Sequence, residues 1–316
     1  MNWTKNMIAG CVVCAALACV AEVGADMHRF LFSDFMNRKL VYVDESSKNA
    51  YKEAFLPEVA FDLTRCGPNQ LVVAQRYGCR LYDIKGLKLL SEITDPEHLK
   101  YATSATRFSD GRTFILDGPA IHEYGADGKW VRKFTFGDRV KQTRVMRFTD
   151  RRQDGGFPSQ NRRQDGGSPS QNGTVLIGAY TGFAEVVLDE SLPPEKRVRA
   201  WFQLPGEARY CYQAEWQKDG TLLTTGGYLP ELVRFAADGK VLSRVQAQQP
   251  EGLSNYFYAG FQVLSNGNCM LANWTGHSGR DFRPGWKLIE FAPDGKVVWH
   301  WNAPWAGTPN AVIVFE

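Results

Sequence analysis

Histidine is scarce, with five residues in 316, and none stands in a His-x-His pair. No Cys-x-x-Cys pair occurs beyond the N-terminal segment, and no Asp-rich loop of the calcium-binding kind is present, so neither a metal nor a cofactor is expected. Nucleophile motifs of the Gly-x-Ser-x-Gly type are absent. No glycine-rich phosphate loop opens a helix, because helical periodicity is all but missing. The formal charge of +3, from 37 basic and 34 acidic residues, is too slight and too dispersed for a nucleic-acid partner.

Long apolar runs are also lacking, with one exception. Lys5 precedes an apolar stretch from Met7 to Val20, and small residues follow. This pattern predicts a signal peptide over residues 1–25, cleaved after Val23-Gly24-Ala25, and an exported mature chain in the periplasm or outside the cell. The run is too short to predict a membrane span. Ala16-Leu17-Ala18-Cys19 resembles a lipobox, which would make Cys19 a lipid-modified first residue instead. Four cysteines remain in the mature chain: Cys66, Cys79, Cys211 and Cys269. Cys66 and Cys79 fall at opposite ends of one predicted unit, so these four are expected as small buried hydrophobes rather than as a disulfide framework.

What is abundant is alternation. The stretch Gly260 to Trp301 contains four short apolar runs: around Phe261 and Val263, Met270 to Ala272, Lys287 to Phe291, and Val297 to Trp301. Turn dipeptides join them in pairs, Asn266-Gly267 between the first and second runs and Asp294-Gly295 between the third and fourth, as an antiparallel four-stranded unit requires. The pattern recurs. Asp110-Gly111, Asp219-Gly220 and Asn266-Gly267 form one column, and Asp127-Gly128, Asp238-Gly239 and Asp294-Gly295 form a second. Spacing of about 40 to 47 residues is the period of a propeller blade.

The fourth unit carries a tandem insertion, RRQDGGFPSQN followed by RRQDGGSPSQN, over residues 151–172. Excising it joins Asp150 to Gly173 and restores the first-turn pattern, so the tract is expected to be a disordered polar loop. The chain end, Asn310 to Glu316, matches the first strand of a unit, and the segment from Phe30 begins at a second strand. Together they predict one blade built from both termini, an all-β six-bladed propeller over residues 26–316, and a ring without a free sheet edge.

The SNGN turn at Ser265 to Asn268, LANW at Leu271 to Trp274 and DGKVVWHW at Asp294 to Trp301 resemble exported bacterial propeller repeats of the pyrroloquinoline-quinone-like and arylsulfotransferase-like kind. The resemblance implies the fold alone. The adjacent cysteine pair that quinone dehydrogenases use is missing, and the histidines match no sulfotransferase pairing.

In such a ring the first strand of each blade lines the channel. Alternate residues give a column Asp62, Thr106, Met146, Glu215 and Gln262, expected to face the axis, with Asp62 and Glu215 on opposite sides. The loop Trp274 to Trp286 on the same face gathers His277, Arg280, Asp281 and Arg283 between tryptophans. Arginine grips carboxylate, sulfate or phosphate, and an aromatic face suits a sugar ring or a cation. With Tyr210, Tyr212, Tyr256, Phe257 and Tyr258 nearby, these residues predict a ligand cup beside the fifth and sixth blades. The expected ligand-binding set is Asp62, Glu215, Gln262, Trp274, His277, Arg280 and Arg283. The reading is a monomeric binding or scaffold module for an anionic or carbohydrate small molecule. The alternatives are a lyase, hydrolase or transferase using His277 as base, and a platform that holds a protein partner on its rim.

Overall fold

The computed structural model describes residues 27–47, 50–149, 173–207, 209–277 and 281–316. The predicted signal peptide, the lipobox cysteine and the tandem tract lie outside them. Six four-stranded antiparallel sheets follow one another around an axis, the second to sixth each running from an innermost strand outward in chain order. The innermost strands of the second to sixth blades are Ala60–Gly67, Ala102–Arg107, Met146–Thr149, Ala214–Trp216 and Phe257–Val263. One 3₁₀ turn at Pro194–Lys196 is the sole helical element among the described residues.

The first blade closes the ring. Its innermost strand is Pro309–Val314, paired antiparallel with Arg29–Asp34, so that Phe30 faces Val314 and Phe32 faces Val312. The two ends of the chain thus share one sheet, and closure removes the open edge that a linear array would expose.

Each blade is amphipathic from inside to outside. The second strand of the second blade, Gln70–Gln75, is buried throughout save its first residue, whereas its fourth strand, Lys88–Thr94, is almost wholly exposed. Buried side chains from neighbouring blades interdigitate in separate clusters, such as Phe114, Ile121, Met146, Ile177 and Val186 between the third and fourth blades. The four described cysteines are free thiols, three buried and one half-buried. Burial pushes the thiols of Cys66 up to about 11 and of Cys79 and Cys211 up to about 12, which keeps them protonated and inert.

The six Asx-Gly dipeptides of the two columns share one geometry. At each, the Asp or Asn side-chain Oδ1 accepts the N–H two residues on, as in Asp110 to Arg112 and Asn266 to Asn268. The glycine N–H returns to the carbonyl three residues back, and its φ lies between 77° and 89°. That left-handed conformation is unfavourable for any residue with a Cβ. At Gly295 a Cβ would also stand 2.5 Å from Val245 Cγ1, whereas at Gly206, with φ of 69°, it would meet nothing within 4 Å.

Gly295→Ala should therefore cost more than Gly206→Ala, which carries only the conformational term of about 1–2 kcal/mol. Urea unfolding of the two variants checks the order. Equal losses would contradict the packing assigned to these turns.

Candidate functional site

The channel is crossed by a polar layer to which every blade contributes. Asp62, in the second blade, follows a register shift in its strand and is buried. Its carboxylate accepts Arg147 Nη1 at 2.7 Å and Nη2 at 2.8 Å, the Leu63 N–H at 2.8 Å, and the Ser104 hydroxyl from the third blade. Arg147, from the fourth blade, also donates to Gln213 Oε1 at 3.0 Å and approaches Glu215 Oε1 at 3.5 Å, both in the fifth. Gln213 then brackets the sixth blade, donating to the Phe261 carbonyl and accepting its N–H. A second strand of the network joins Tyr212 Oη to the Phe61 carbonyl and Asn310 Nδ2 to both Tyr212 Oη and the Ala60 carbonyl, which brings in the first blade. Burial works against the charge of Arg147, but Asp62 first and Glu215 next hold its pKa above the ordinary value. Burial, reinforced by Asp62, pushes the Tyr212 phenol up, so it remains a neutral donor.

Arg147 corrects the predicted channel column. Met146 packs between the third and fourth blades, and the next residue reaches the axis instead. The cause is the turn. In the third blade pairing stops at Arg107–Thr113, three residues before Asp110, whereas in the fourth it runs to Thr149–Thr174, directly beside Asp150. Counting back from the aspartate therefore lands one residue out of step. The separation expected between Asp62 and Glu215 is also bridged, since Arg147 contacts both.

Above this layer lies an aromatic bowl. On the face carrying the blade-joining loops, ring contacts run unbroken from Tyr101 to Phe61 at 5.0 Å, Phe61 to Phe35 at 5.7 Å, and Phe35 to Trp274 at 6.0 Å. They continue through Trp274 to Tyr256 at 5.9 Å, Tyr256 to Tyr228 at 5.6 Å, Tyr228 to Tyr210 at 5.9 Å and Tyr210 to Tyr180 at 5.0 Å. Most of these rings touch edge to face, the favoured geometry for packed aromatics. Tyr101 and Tyr228 keep 47% and 40% of their surface exposed, so the bowl presents open tyrosine surface.

The loop residues flagged in the sequence divide. Trp274 is buried in the bowl wall against Phe257 and Tyr256. His277 stands at the outer lip, its side chain 52% exposed, edge-on to Trp274 at 4.7 Å with Nδ1 3.2 Å from both Asp281 oxygens. Burial alone would raise the Asp281 carboxyl, yet hydrogen bonds from the His277 backbone, Tyr256 Oη and the His277 ring hold it below the usual range. Burial, reinforced by the hydrogen bond to Asp281, pushes the Tyr256 phenol up to about 12. Arg283 lies over the Tyr256 ring at 5.3 Å. Arg280 is outside the described residues. Gln262 is committed to holding the closing strand, with its amide bonded to both N–H and carbonyl of Val314. Phe35, Tyr101, Arg144, Arg147 and Tyr228 were missed in the sequence. No group of three or more metal-ligating side chains occurs among the described residues.

No family model and no curated protein matches this chain. Among solved structures it resembles a protein of unknown function from Bacteroides caccae, with a TM-score of 0.67 and 17% identity over 92% of this chain and 99% of that one. A streptogramin B lyase aligns with a TM-score of 0.57 and 12% identity, covering 90% and 83%. A catalytically inactive histidine-to-alanine variant of virginiamycin B lyase from Staphylococcus aureus, solved with quinupristin, aligns at 0.54 and 11%, covering 90% and 87%. At these identities the likeness shows a propeller-like fold and no activity.

Tyr212→Phe removes a hydroxyl that serves a buried carbonyl and a buried amide. It should cost about 1–3 kcal/mol by urea unfolding. A change within about 0.5 kcal/mol, as at an ordinary surface position, would contradict the role given to this layer.

Proposed function

We propose that the protein is an exported binding module whose channel-mouth bowl holds a carbohydrate. The observation carrying this reading is the continuous chain of aromatic contacts standing over a hydrogen-bonded polar floor. A sugar ring presents flat C–H faces to aromatic surface and hydroxyls at its edges, and exposed Tyr101 and Tyr228 offer such surface with a hydroxyl on each. Arg283 beside Tyr256 adds a hydrogen-bond donor at the lip. Export rests on the N-terminal apolar segment. No helix among the described residues is long and apolar enough to cross a membrane.

A second reading, an enzyme of the lyase kind, draws on His277, whose Asp281 partner would orient it as a general base, and on the lyases among the folds it resembles. Against it, His277 is half-exposed on the lip rather than enclosed with the channel carboxylate.

Tryptophan fluorescence, with Trp274 in the bowl wall, is the probe, and cello-, malto-, xylo- and mannohexaose are the ligands. At least one should bind, Tyr228→Ala should weaken it tenfold or more, about 1.4 kcal/mol, and His277→Ala should leave it within threefold. No response to any of them, or indifference to Tyr228→Ala, would overturn the bowl. Product formation abolished by His277→Ala would favour the enzyme instead.

A further inference from the structure

A second opening lies where the aromatic ring leaves the bowl, among the segments leading into the third, fourth and fifth blades. This cleft of about 220 Å³ is lined by Tyr101, Thr103, Gln142, Thr143, Arg144 and Tyr210, with Gly118 at its edge. Its walls are fixed. The Asp117 carboxylate accepts the N–H groups of Lys100 and Tyr101 at 2.6 and 3.0 Å, and the Thr143 hydroxyl donates to the Gly118 carbonyl at 2.7 Å. The Tyr210 N–H is bonded to the Tyr180 carbonyl at 2.6 Å.

Three features of the lining bear on a ligand. Arg144 lies over the Tyr210 ring at 4.2 Å and donates once, from Nη1 to the Thr143 carbonyl at 3.2 Å. Arg144 meets no carboxylate among the described residues, and the lining contains no acid, so its charge is not neutralised there. Thr103 is only 3% exposed, yet its hydroxyl has no hydrogen-bond partner among the described residues. A buried hydroxyl without a partner is costly, and natural structures rarely leave one without a reason. Gln142 and Tyr210, both in the lining, are non-glycine residues with left-handed φ of 52° and 64°. Backbone strain of this kind persists where surroundings impose it and gathers at ligand sites.

We propose that this cleft binds the carboxylate of an acidic sugar. One guanidinium over a tyrosine ring, in a cleft also lined by a threonine and a glutamine, offers a single positive charge among neutral polar residues, which matches a planar monoanion better than a phosphate dianion. The volume is below the roughly 300–1,000 Å³ of a site enclosing a whole ligand. The cleft therefore takes one terminal uronate, and Tyr210, shared by cleft and bowl, passes the remaining sugar units onto the aromatic ring. This assignment rests on the carbohydrate reading of the bowl and adds the charge that selects among carbohydrates.

The test uses the mature chain with trigalacturonate and a glucuronic-acid-terminated cellobiose, each beside its methyl ester, by titration calorimetry at low salt. The acid should bind at least tenfold tighter than its ester. Arg144→Gln should abolish that preference and leave ester binding unchanged. Thr103→Val should weaken acid binding severalfold while Tm stays level or rises, which no purely structural role for the hydroxyl would produce. Equal binding of acid and ester to the unaltered protein, or a preference that survives Arg144→Gln, would overturn the cleft. If affinity depends on Tyr228 with no acid preference, the cleft fails and the bowl stands. If an Arg144-dependent preference is indifferent to Tyr228→Ala, the cleft stands and the bowl fails. Failure of every acid and ester to bind overturns both.

Discussion

The bidentate pair between Arg147 and Asp62 is the constraint on which the rest of the molecule turns. A propeller is held mainly by apolar contact between neighbouring blades, and such contact is non-directional. The pair is directional and spans the axis, linking the fourth blade to the second and, through Ser104, Gln213 and Tyr212 with Asn310, every other blade as well. Asp62 is buried while Arg147 keeps 18% of its side chain exposed. Removing either partner strands a charge or its hydrogen-bonding groups where water reaches poorly, and cost of that kind fixes geometry more firmly than it adds stability.

That layer decides what the channel mouth can be. Polar groups from all six blades meet across the axis, and on the loop-bearing face aromatic residues that precede first strands or follow second strands touch one another in sequence above them. Tyr212 belongs to both levels: its hydroxyl serves the floor, and its ring packs edge-on against Phe257 at 5.6 Å beneath the rim. Rim and floor are therefore coupled through packed side chains, and a ligand on the rings would meet a prebuilt surface. Pre-organisation of this kind spares the ordering cost of binding.

Much of the architecture was legible because it depends on local chemistry. An Asx-Gly pair encodes its own turn through a side-chain acceptor and a left-handed glycine, so six such pairs in two columns reveal the blades. The apolar Asn310 to Phe315 segment, lacking a partner of its own, reveals the closure. Trp274 could be placed on this face from the long loop it opens, and Tyr210, Tyr212 and Tyr256 from the segments that lead into the fifth and sixth blades. Arg147 was hidden because its unit has a different turn length, so parity counted from Asp150 fails. Tyr101, Arg144 and Phe35 were hidden because they sit in three loops of unrelated length, and only the closed ring brings them to one face. Periodicity records strands, whereas the cleft is made of the segments between them.

A double-mutant cycle on Arg147→Met and Asp62→Leu, followed by urea unfolding, tests the central pair most directly. Each single replacement should cost about 3–5 kcal/mol, and the double replacement should cost less than their sum by at least about 1.5 kcal/mol, because each single variant leaves a polar group without its partner. Additive losses would show that the two residues do not act on one another, and the floor described for the channel would then have no such centre.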